Sequence, residues 1–289
     1  MIYILKIYIY LRKRKTDTII YSRSILAGLI LSIFYSQVVI EIHHLFKGFT
    51  NLMYSLFKFF KLTKKIKFVF ITKNLNKEFR IRKDFIVLDD AVDFKNFKKF
   101  SKSKKYYNTC VYTGSFSKGK GLETIIKISQ SLPKINFHIY GDFTNSSVTR
   151  DQLKNYKNIF YKGYVKYKKI PKILSMYKVY LMPYSKKVYV RAKNLEVGNY
   201  MSPLKLFEYL ASSGVLFASD MKVYRHILKK DNSVLIKNNS IKLWKINLTN
   251  FFLNPYKFKK ISKNATYIAQ NNTWLKRVEK IKEFINVNK

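Results

Sequence analysis

Three glycines and a lysine lie in one short segment of the sequence, a combination suited to binding a phosphate group. Gly114, Gly119, Lys120 and Gly121 fall within residues 113–121, and apolar residues at helical spacing follow. Glycines let the backbone approach a ligand closely, a helix N-terminus attracts an anion, and Lys120 adds a full charge. The spacing is neither G-x-G-x-x-G nor that of a Walker A loop, so an ordinary flexible loop between a strand and a helix is the alternative.

A second candidate segment is a helix whose two ends are marked by the sequence. Ser202 is a natural N-cap, Pro203 suits the first helical position, and Gly214 suits the residue after the last turn. The pattern therefore predicts a helix over residues 203–213, followed by a buried strand.

Glu208 is the carboxylate of this predicted helix. It lies four residues after Leu204 and three before Ala211, so it should share their face and point toward apolar packing or a cleft. A carboxylate in such a place needs a partner. Sugar hydroxyls could supply one, and the alternative is a surface salt bridge with Lys205.

The elements that would position these segments alternate along the whole chain. Short apolar runs are separated by helical patterns, which is typical of α/β proteins with doubly wound parallel sheets. The predicted strands are residues 18–21, 38–42, 67–71, 85–88, 109–112, 136–140, 158–161, 179–182, 215–218 and 234–236. Residues 101–108 are polar and basic, so we expect a linker there between two Rossmann-like units. Ligands of such units bind at the carboxyl ends of the strands, where both candidate segments fall.

Composition narrows the class of protein. The chain has 289 residues, of which 47% are hydrophobic and 17% aromatic, so it has enough apolar material for a packed core and is not disordered. The net charge of +41 favours anionic partners, namely nucleic acid, an anionic membrane or a phosphorylated ligand. An A/T-rich genome would explain much of the lysine content equally well. The single cysteine, Cys110, allows no internal disulfide and fits a reducing, cytoplasmic compartment.

Three segments are apolar enough that a membrane role must be considered. Residues 1–11 are too few to span a bilayer and are predicted to form an amphipathic helix, whereas residues 25–42 are predicted to be a helix followed by a buried strand. Residues 46–65 interleave aromatic side chains with lysines, a pattern typical of a helix that lies on an anionic bilayer surface. The alternative is that the apolar side packs on the sheet and the lysines are simply solvated.

Taken together, these segments resemble the family-4 retaining glycosyltransferases of the GT-B fold. In the second half, the matching positions are Lys120-Gly121, Gly141, Gly163-Tyr164-Val165, Met182-Pro183-Tyr184 and the run from Ser202 to Tyr209. In the first half, residues 17–23, 41–43 and 87–93 are similar to acceptor-domain segments. Thr273-Trp274 begins a helix similar to the one that returns to the first domain in that family.

The resemblance implies transfer of a sugar from a nucleoside diphosphate donor to an acceptor hydroxyl with retention of configuration, in cell-surface polysaccharide or glycolipid synthesis. Lys120 and the N-terminus of the helix at Pro203 would hold the diphosphate, and Glu208 would bind the ribose. Such a site stabilises the leaving diphosphate electrostatically and needs no metal or other cofactor. The implied donor-binding residues are Gly114, Ser115, Lys120, Gly121, Glu196, Ser202, Pro203, Leu204, Lys205 and Glu208. His43 is implied as catalytic, the alternative being a structural loop histidine.

The sequence departs from the family pattern at two positions. Ser115 stands where the family has an arginine, and Tyr200 stands where it has the first acid of an E-x7-E pattern. Glu196 is the candidate substitute for that acid.

The expected domains are a truncated acceptor-side unit (1–100), a linker (101–108), a nucleotide-sugar-binding unit (109–270) and a returning helix (271–289). The first unit is shorter than the roughly 150 to 200 residues of a full Rossmann-like unit, so we expect it to be incomplete, with about four strands. Two alternatives remain: a weakly active or non-catalytic remnant that binds nucleotide sugars, and a basic nucleic-acid-binding protein, for which no binding motif is found. The expected location is the cytoplasm, at the inner face of the cell membrane.

Overall fold

The computed structural model describes residues 6, 8–10, 18–100, 105–190 and 195–286. The chain divides into two compact units, Met1–Asp89 with Glu279–Lys289, and Asp90–Val278. The division falls ahead of the predicted linker, because Val92 and Phe97 are buried in the core of the second unit. Of that linker, residues 101–104 lie outside the described residues, and Tyr106 donates its backbone N–H to the Met176 carbonyl of the second unit (2.8 Å).

The first unit contains a four-stranded parallel sheet in the order β1-β2-β3-β4. Its elements are β1 (Ile20–Ser22), α1 (Ile25–Phe34), β2 (Val38–Ile42), α2 (Gly48–Phe59), a 3-10 turn (Leu62–Lys65), β3 (Ile66–Phe70), α3 (Lys73–Phe79) and β4 (Phe85–Val87). This sheet confirms the predicted α/β fold and the four predicted strands, with ends shifted by at most two residues.

Helix α1 and strand β2 show why residues 25–42 are apolar. The Ser24 side chain accepts the Ala27 N–H at the start of the helix, and all five residues of β2 are buried. A Cβ on Gly28 would lie 2.7 Å from Ile40 Cδ1, so the glycine lets the helix pack closely on the strand. The predicted helix followed by a buried strand is confirmed.

No helix among the described residues is both long and apolar enough to cross a bilayer. The predicted amphipathic helix at residues 1–11 lies largely outside the described residues; residues 6 and 8–10 are helical.

The second unit contains a six-stranded parallel sheet in the order β12-β11-β8-β5-β6-β7. Its elements are α4 (Phe94–Lys98), β5 (Thr109–Thr113), α5 (Leu122–Ser131), β6 (Asn136–Tyr140), α6 (Arg150–Leu153), β7 (Ile159–Tyr161), α7 (Ile170–Leu174), β8 (Val179–Met182), β9 (Tyr189–Val190), β10 (Leu195–Glu196), α8 (Leu204–Leu210), β11 (Val215–Ser219), β12 (Val234–Ile236), α9 (Ile241–Leu253), α10 (Lys259–Asn271) and α11 (Trp274–Asn286). Strands β9 and β10 form a separate antiparallel ribbon. Because the six strands are parallel, the loops that follow them meet at one edge of the sheet.

Two apolar clusters form the core of this unit. One contains the fully buried Trp244 of α9, whose indole N–H donates to Asn239 Oδ1 at 2.7 Å. The other cluster contains Tyr140 and Tyr177. His138 and Tyr140 both form hydrogen bonds with the Tyr177 hydroxyl. Burial, with a smaller contribution from Lys162, lowers the pKa of His138 to about 4, so this imidazole is neutral and structural at physiological pH.

The end of α11 belongs to the first unit. Ile281 and Ile285 are buried there with Val39 and Val69. The Lys67 ammonium donates to the carbonyls of Phe284 and Ile285, both at 2.9 Å. Cations near the last carbonyls of a helix stabilise it, so Lys67 anchors the end of α11.

Candidate functional site

A cleft of about 360 Å³ opens at the carboxyl edge of the second sheet. Seven of the residues implied by the resemblance line it: Gly114, Ser115, Lys120, Pro203, Leu204, Lys205 and Glu208. Gly121, Ser202 and Glu196 are outside its lining; Glu196 is exposed on β10, paired with Tyr189. The two candidate segments of the sequence therefore meet in one cleft.

The glycines of the loop after β5 have different roles. Gly114, with a φ of +128°, lines the cleft. Gly119 and Gly121 also have positive φ values, and a Cβ on them would come within 1.9 Å of the Lys187 carbonyl oxygen and 2.3 Å of the Pro183 carbonyl oxygen. These two glycines are thus required where the loop contacts the chain after β8, and the loop is held by packing rather than flexible.

Lys120 is positioned by its own loop. Its ammonium donates to the Ser115 hydroxyl at 2.7 Å, and both side chains line the cleft. The Tyr112 hydroxyl donates to the Ser115 carbonyl at 2.9 Å, which ties the loop to strand β5. A cation is therefore fixed beside the N-terminus of α5, an arrangement that suits an anion.

Helix α8 differs from its predicted bounds at both ends. It runs over Leu204–Leu210 with Pro203 as its N-cap, because the Ser202 hydroxyl accepts the backbone N–H of Asp90 (2.9 Å) instead of capping the helix. At the other end Ser213 has the left-handed conformation (φ +60°) expected of Gly214. Gly214 is needed for packing, since a Cβ there would lie 2.6 Å from Tyr180 Cε2.

Lys205 and Glu208 both lie inside the cleft, each with only 8% of its surface exposed. This burial excludes the surface salt bridge considered from the sequence. The Lys205 ammonium lies over the Tyr112 ring, 3.5 Å from its centroid, and over the Tyr184 ring at 5.3 Å. It has no hydrogen-bond partner within the described part of the chain.

The charges of these groups depend on one another. Burial raises the pKa of Glu208 to about 7, and the nearby Lys205 partly opposes this rise. Burial lowers the pKa of Lys205 well below its ordinary value; Lys120 lowers it further and Glu208 opposes the change. The unliganded cleft therefore disfavours full charge on either residue near neutral pH.

Tyrosines form much of the remaining lining and were missed as individual site residues. The cleft also contains Thr113, Tyr140, Gly141, Asp142, Tyr164, Val165, Tyr167, Ile170 and Tyr184. Burial, followed by Glu208 and Asp93, raises the pKa of Tyr167 to about 12, so its hydroxyl stays protonated. Asp142 follows β6 and Tyr184 follows β8 within two residues, so the strand-end rule applied to each predicted strand would have found both.

His43 lies in the first unit, directly after β2. Its Nε2 contacts Glu41 Oε1, and Arg23 Nη2 lies 3.4 Å from its Nδ1. Arginine can only donate, so Nδ1 accepts and Nε2 carries the proton toward Glu41. The buried Glu41 also accepts a hydrogen bond from the Tyr21 hydroxyl, which fixes its orientation. His44 is exposed, with its Nδ1 2.9 Å from the Leu45 carbonyl oxygen.

Residues 93–267, more than half of the chain, match the family of glycosyl transferases group 1. The chain belongs to this family. The matched segment contains every residue that lines the cleft. No curated protein matches the sequence.

Solved structures of glycosyltransferases share the fold of this family member. A Rickettsia africae glycosyltransferase is 13% identical, with 98% of this chain and 80% of that one covered and a TM-score of 0.74. Anabaena HepE in complex with UDP-glucose is 13% identical, with 98% and 82% covered and a TM-score of 0.72. A mutant of S. aureus TarM, in complex with fondaparinux, α-GlcNAc-glycerol and UDP, is 18% identical, with a TM-score of 0.68. The match covers 96% of this chain but 58% of TarM. These likenesses show the GT-B fold.

Proposed function

We propose that the protein transfers a sugar from a nucleoside diphosphate sugar to an acceptor hydroxyl with retention of configuration, in the synthesis of a cell-surface polysaccharide or glycolipid. One observation carries this proposal. Lys120 is far in sequence from Lys205 and Glu208, yet all three side chains line a single cleft at the carboxyl edge of a Rossmann-like sheet. Membership in a glycosyltransferase family and the UDP complexes of HepE and TarM support the same reading.

The residues of the cleft suit the parts of such a donor. Lys120, beside Ser115 and the N-terminus of α5, would bind the diphosphate, and the first turn of α8, which begins at Leu204 after Pro203, adds backbone N–H donors. Glu208, one turn further along α8, would accept hydrogen bonds from the ribose hydroxyls. Satisfying a buried carboxylate in this way offsets the cost of its burial.

Leaving-group stabilisation in this proposal comes from the protein. When the bond between the sugar and the diphosphate breaks, negative charge grows on the phosphate oxygens. Fixed lysine charges and N–H dipoles that already face those oxygens lower the barrier without reorganisation. We therefore propose a metal-independent reaction with His43, which contacts Glu41 and Arg23 in the first unit, as its catalytic residue.

The proposal is tested first by donor binding. Lys120→Ala and Glu208→Ala should each weaken the binding of UDP or another nucleoside diphosphate at least tenfold, because a charge-assisted hydrogen bond contributes about 1.5 to 3 kcal/mol. Calorimetric titration of UDP, GDP and ADP into the purified chain measures this. His43→Ala should leave the affinity unchanged and lower turnover, and EDTA should leave turnover unchanged.

Lys118→Ala is the matched control, since Lys118 is an exposed lysine of the same loop that does not line the cleft. If Lys120→Ala and Glu208→Ala bind as tightly as the wild type with folding intact, the assignment of the donor site is wrong. If binding is normal but no donor is turned over with any acceptor, the protein is a nucleotide-sugar-binding remnant.

We also propose peripheral association with an anionic membrane through α2 and the turn after it. One face of α2 exposes Phe49, Leu52, Leu56 and Phe59, and the adjoining Phe60 is 65% exposed. Five exposed lysines flank this face: Lys47, Lys58, Lys61, Lys64 and Lys65. The opposite face is buried through Tyr54 and Phe57, so the exposed apolar residues are not needed for packing. A basic, aromatic surface of this kind suits the inner face of a cell membrane, where a lipid-linked acceptor would be found.

A further inference from the structure

Lys205 carries a buried amino group for which the described residues provide no acceptor. Its Nζ is buried and has no hydrogen-bond partner within the described residues. The Tyr112 and Tyr184 rings attract it through their faces but do not accept its N–H bonds as a carboxylate or a carbonyl would. Buried polar groups are nearly always hydrogen-bonded, so a buried nitrogen without a partner among the described residues indicates that a ligand binds it.

The surroundings of Lys205 Nζ indicate which kind of ligand could contact it. A Cβ on Gly114 would lie 2.9 Å from Lys205 Nζ, so the lysine lies against the loop that carries Ser115 and Lys120. Lys205, Gly114, Ser115 and Lys120 line the same cleft. A ligand with negative charge on more than one oxygen can contact both lysines, and a diphosphate is such a ligand.

The groups that surround Lys205 set its protonation before the ligand arrives. Lys120 faces it from the loop after β5, Glu208 from its own helix, Tyr112 from β5 and Tyr184 from the segment after β8. Burial and Lys120 lower the pKa of Lys205, and Glu208 only partly opposes them. Burial raises the pKa of both tyrosines, so neither supplies a negative charge.

We propose that the diphosphate of the donor supplies the missing acceptor for Lys205, and that its binding is accompanied by uptake of a proton from solvent onto Nζ. Burial and Lys120 disfavour the charged form of Nζ in the empty cleft, whereas bound phosphate oxygens favour it. Nζ therefore takes up the proton on binding, donates to the phosphate oxygens, and returns the proton to solvent when the nucleoside diphosphate leaves. The inference rests on the proposed function, because it names how the same cleft recognises the diphosphate. Donor affinity should then fall as pH rises, by up to about tenfold per pH unit for one proton.

The test is calorimetric titration of UDP at about pH 8, where the phosphate itself is fully ionised, in two buffers of different ionisation enthalpy. The difference in heat between the buffers gives the number of protons taken up, and we expect a value approaching one. The variant E208Q keeps the lysine and removes the other titratable group, so uptake that persists in E208Q belongs to Lys205.

In the variant Lys205→Met, the new side chain has nearly the same shape as lysine and carries no charge. We expect it to lose the proton uptake and to weaken UDP binding at least tenfold. Its melting temperature without ligand should be unchanged or higher, because an apolar side chain replaces a buried amino group that has no hydrogen-bond partner among the described residues. Lys118→Met, an exposed lysine of the neighbouring loop, should keep both the uptake and the affinity.

Each outcome bears on a defined claim. UDP binding without proton uptake in E208Q, wild-type affinity in Lys205→Met, or a fall of several degrees in the unliganded melting temperature of Lys205→Met would overturn the inference and leave the proposed function standing. Failure of the wild type to bind UDP, GDP and ADP would overturn the proposed function, and the inference with it.

Discussion

Glu208 shows at the scale of a single residue how burial changes the charge of a functional group. Its pKa, raised to about 7, lies well above that of a carboxyl group in an unfolded chain. The native state therefore holds a proton that the unfolded state releases. This stabilises the fold fully below about pH 4.5, and the stabilisation is lost as the pH rises through about 7.

The prediction compares the wild type with Glu208→Gln, which cannot titrate at this position. Between about pH 4.5 and pH 8 the wild type should lose of the order of 3 kcal/mol relative to the variant, since one pKa unit corresponds to about 1.4 kcal/mol. Urea unfolding of the unliganded protein at several pH values measures the difference. Parallel curves for the two proteins would show that Glu208 is ionised throughout.

Residue types alone revealed part of the cleft but not its chemistry. The pattern around Lys120 indicates an anion site or an ordinary loop, and the position of Glu208 indicates a carboxylate facing apolar packing or a cleft. The burial of Lys205 was not predictable, because nearly all of α8 is enclosed on every side and no exposed face marks its orientation. The use of Ser202 by Asp90, 112 residues earlier in the chain, is a tertiary contact that a local capping pattern cannot reveal.

At the scale of elements, the sequence predicted strands better than helix ends. Strands β2, β6, β8 and β12 have the predicted bounds, because a run of apolar residues in a parallel sheet is buried on both faces. Helix ends depend on which side chain or backbone group satisfies the terminal N–H and carbonyl groups. In α8 both ends differ from the prediction, through contacts made by Ser202 and Gly214.

The loop between β5 and α5 gives a prediction at this scale. Gly119→Ala should lower stability by about 2 kcal/mol or more, because the alanine would need a strained positive φ and its Cβ would meet the Lys187 carbonyl. Thermal unfolding measures the loss.

Gly163→Ala is the matched control for this loop. Gly163 has a similar φ of +84°, but its added Cβ would have no neighbour within 4 Å, so only the backbone strain remains. Gly119→Ala should therefore be the more destabilising of the two. Equal losses would show that the contact with the segment after β8 does not hold the loop.

At the scale of the whole molecule, the charge of +41 and the exposed face of α2 act together. The purified chain should float with vesicles that contain anionic lipid, and the bound fraction should fall steeply as salt rises, because the lysines act over distances of about 10 Å at 0.1 M salt. A double variant, Phe59→Ser with Phe60→Ser, should reduce binding at every salt concentration.

Tyr256→Ser is the control for flotation. Tyr256 is 87% exposed but belongs to the second unit and not to α2, so its replacement should leave binding unchanged. If the wild type does not float with vesicles at low salt, the membrane proposal is wrong. If Tyr256→Ser reduces binding as much as the Phe59→Ser/Phe60→Ser double variant does, the contact is not made through α2.

Trp244 and Trp274 are the only tryptophans of the chain, and both belong to the second unit. Trp244 is fully buried with its indole N–H bonded to Asn239, whereas Trp274 is 37% exposed. Intrinsic fluorescence excited at the indole band therefore reports on the second unit, while far-ultraviolet circular dichroism reports on the helices and strands of both. Superimposable denaturation curves from these two optical signals would mean that the units unfold as one cooperative block; an offset between them would measure how independently the first unit melts.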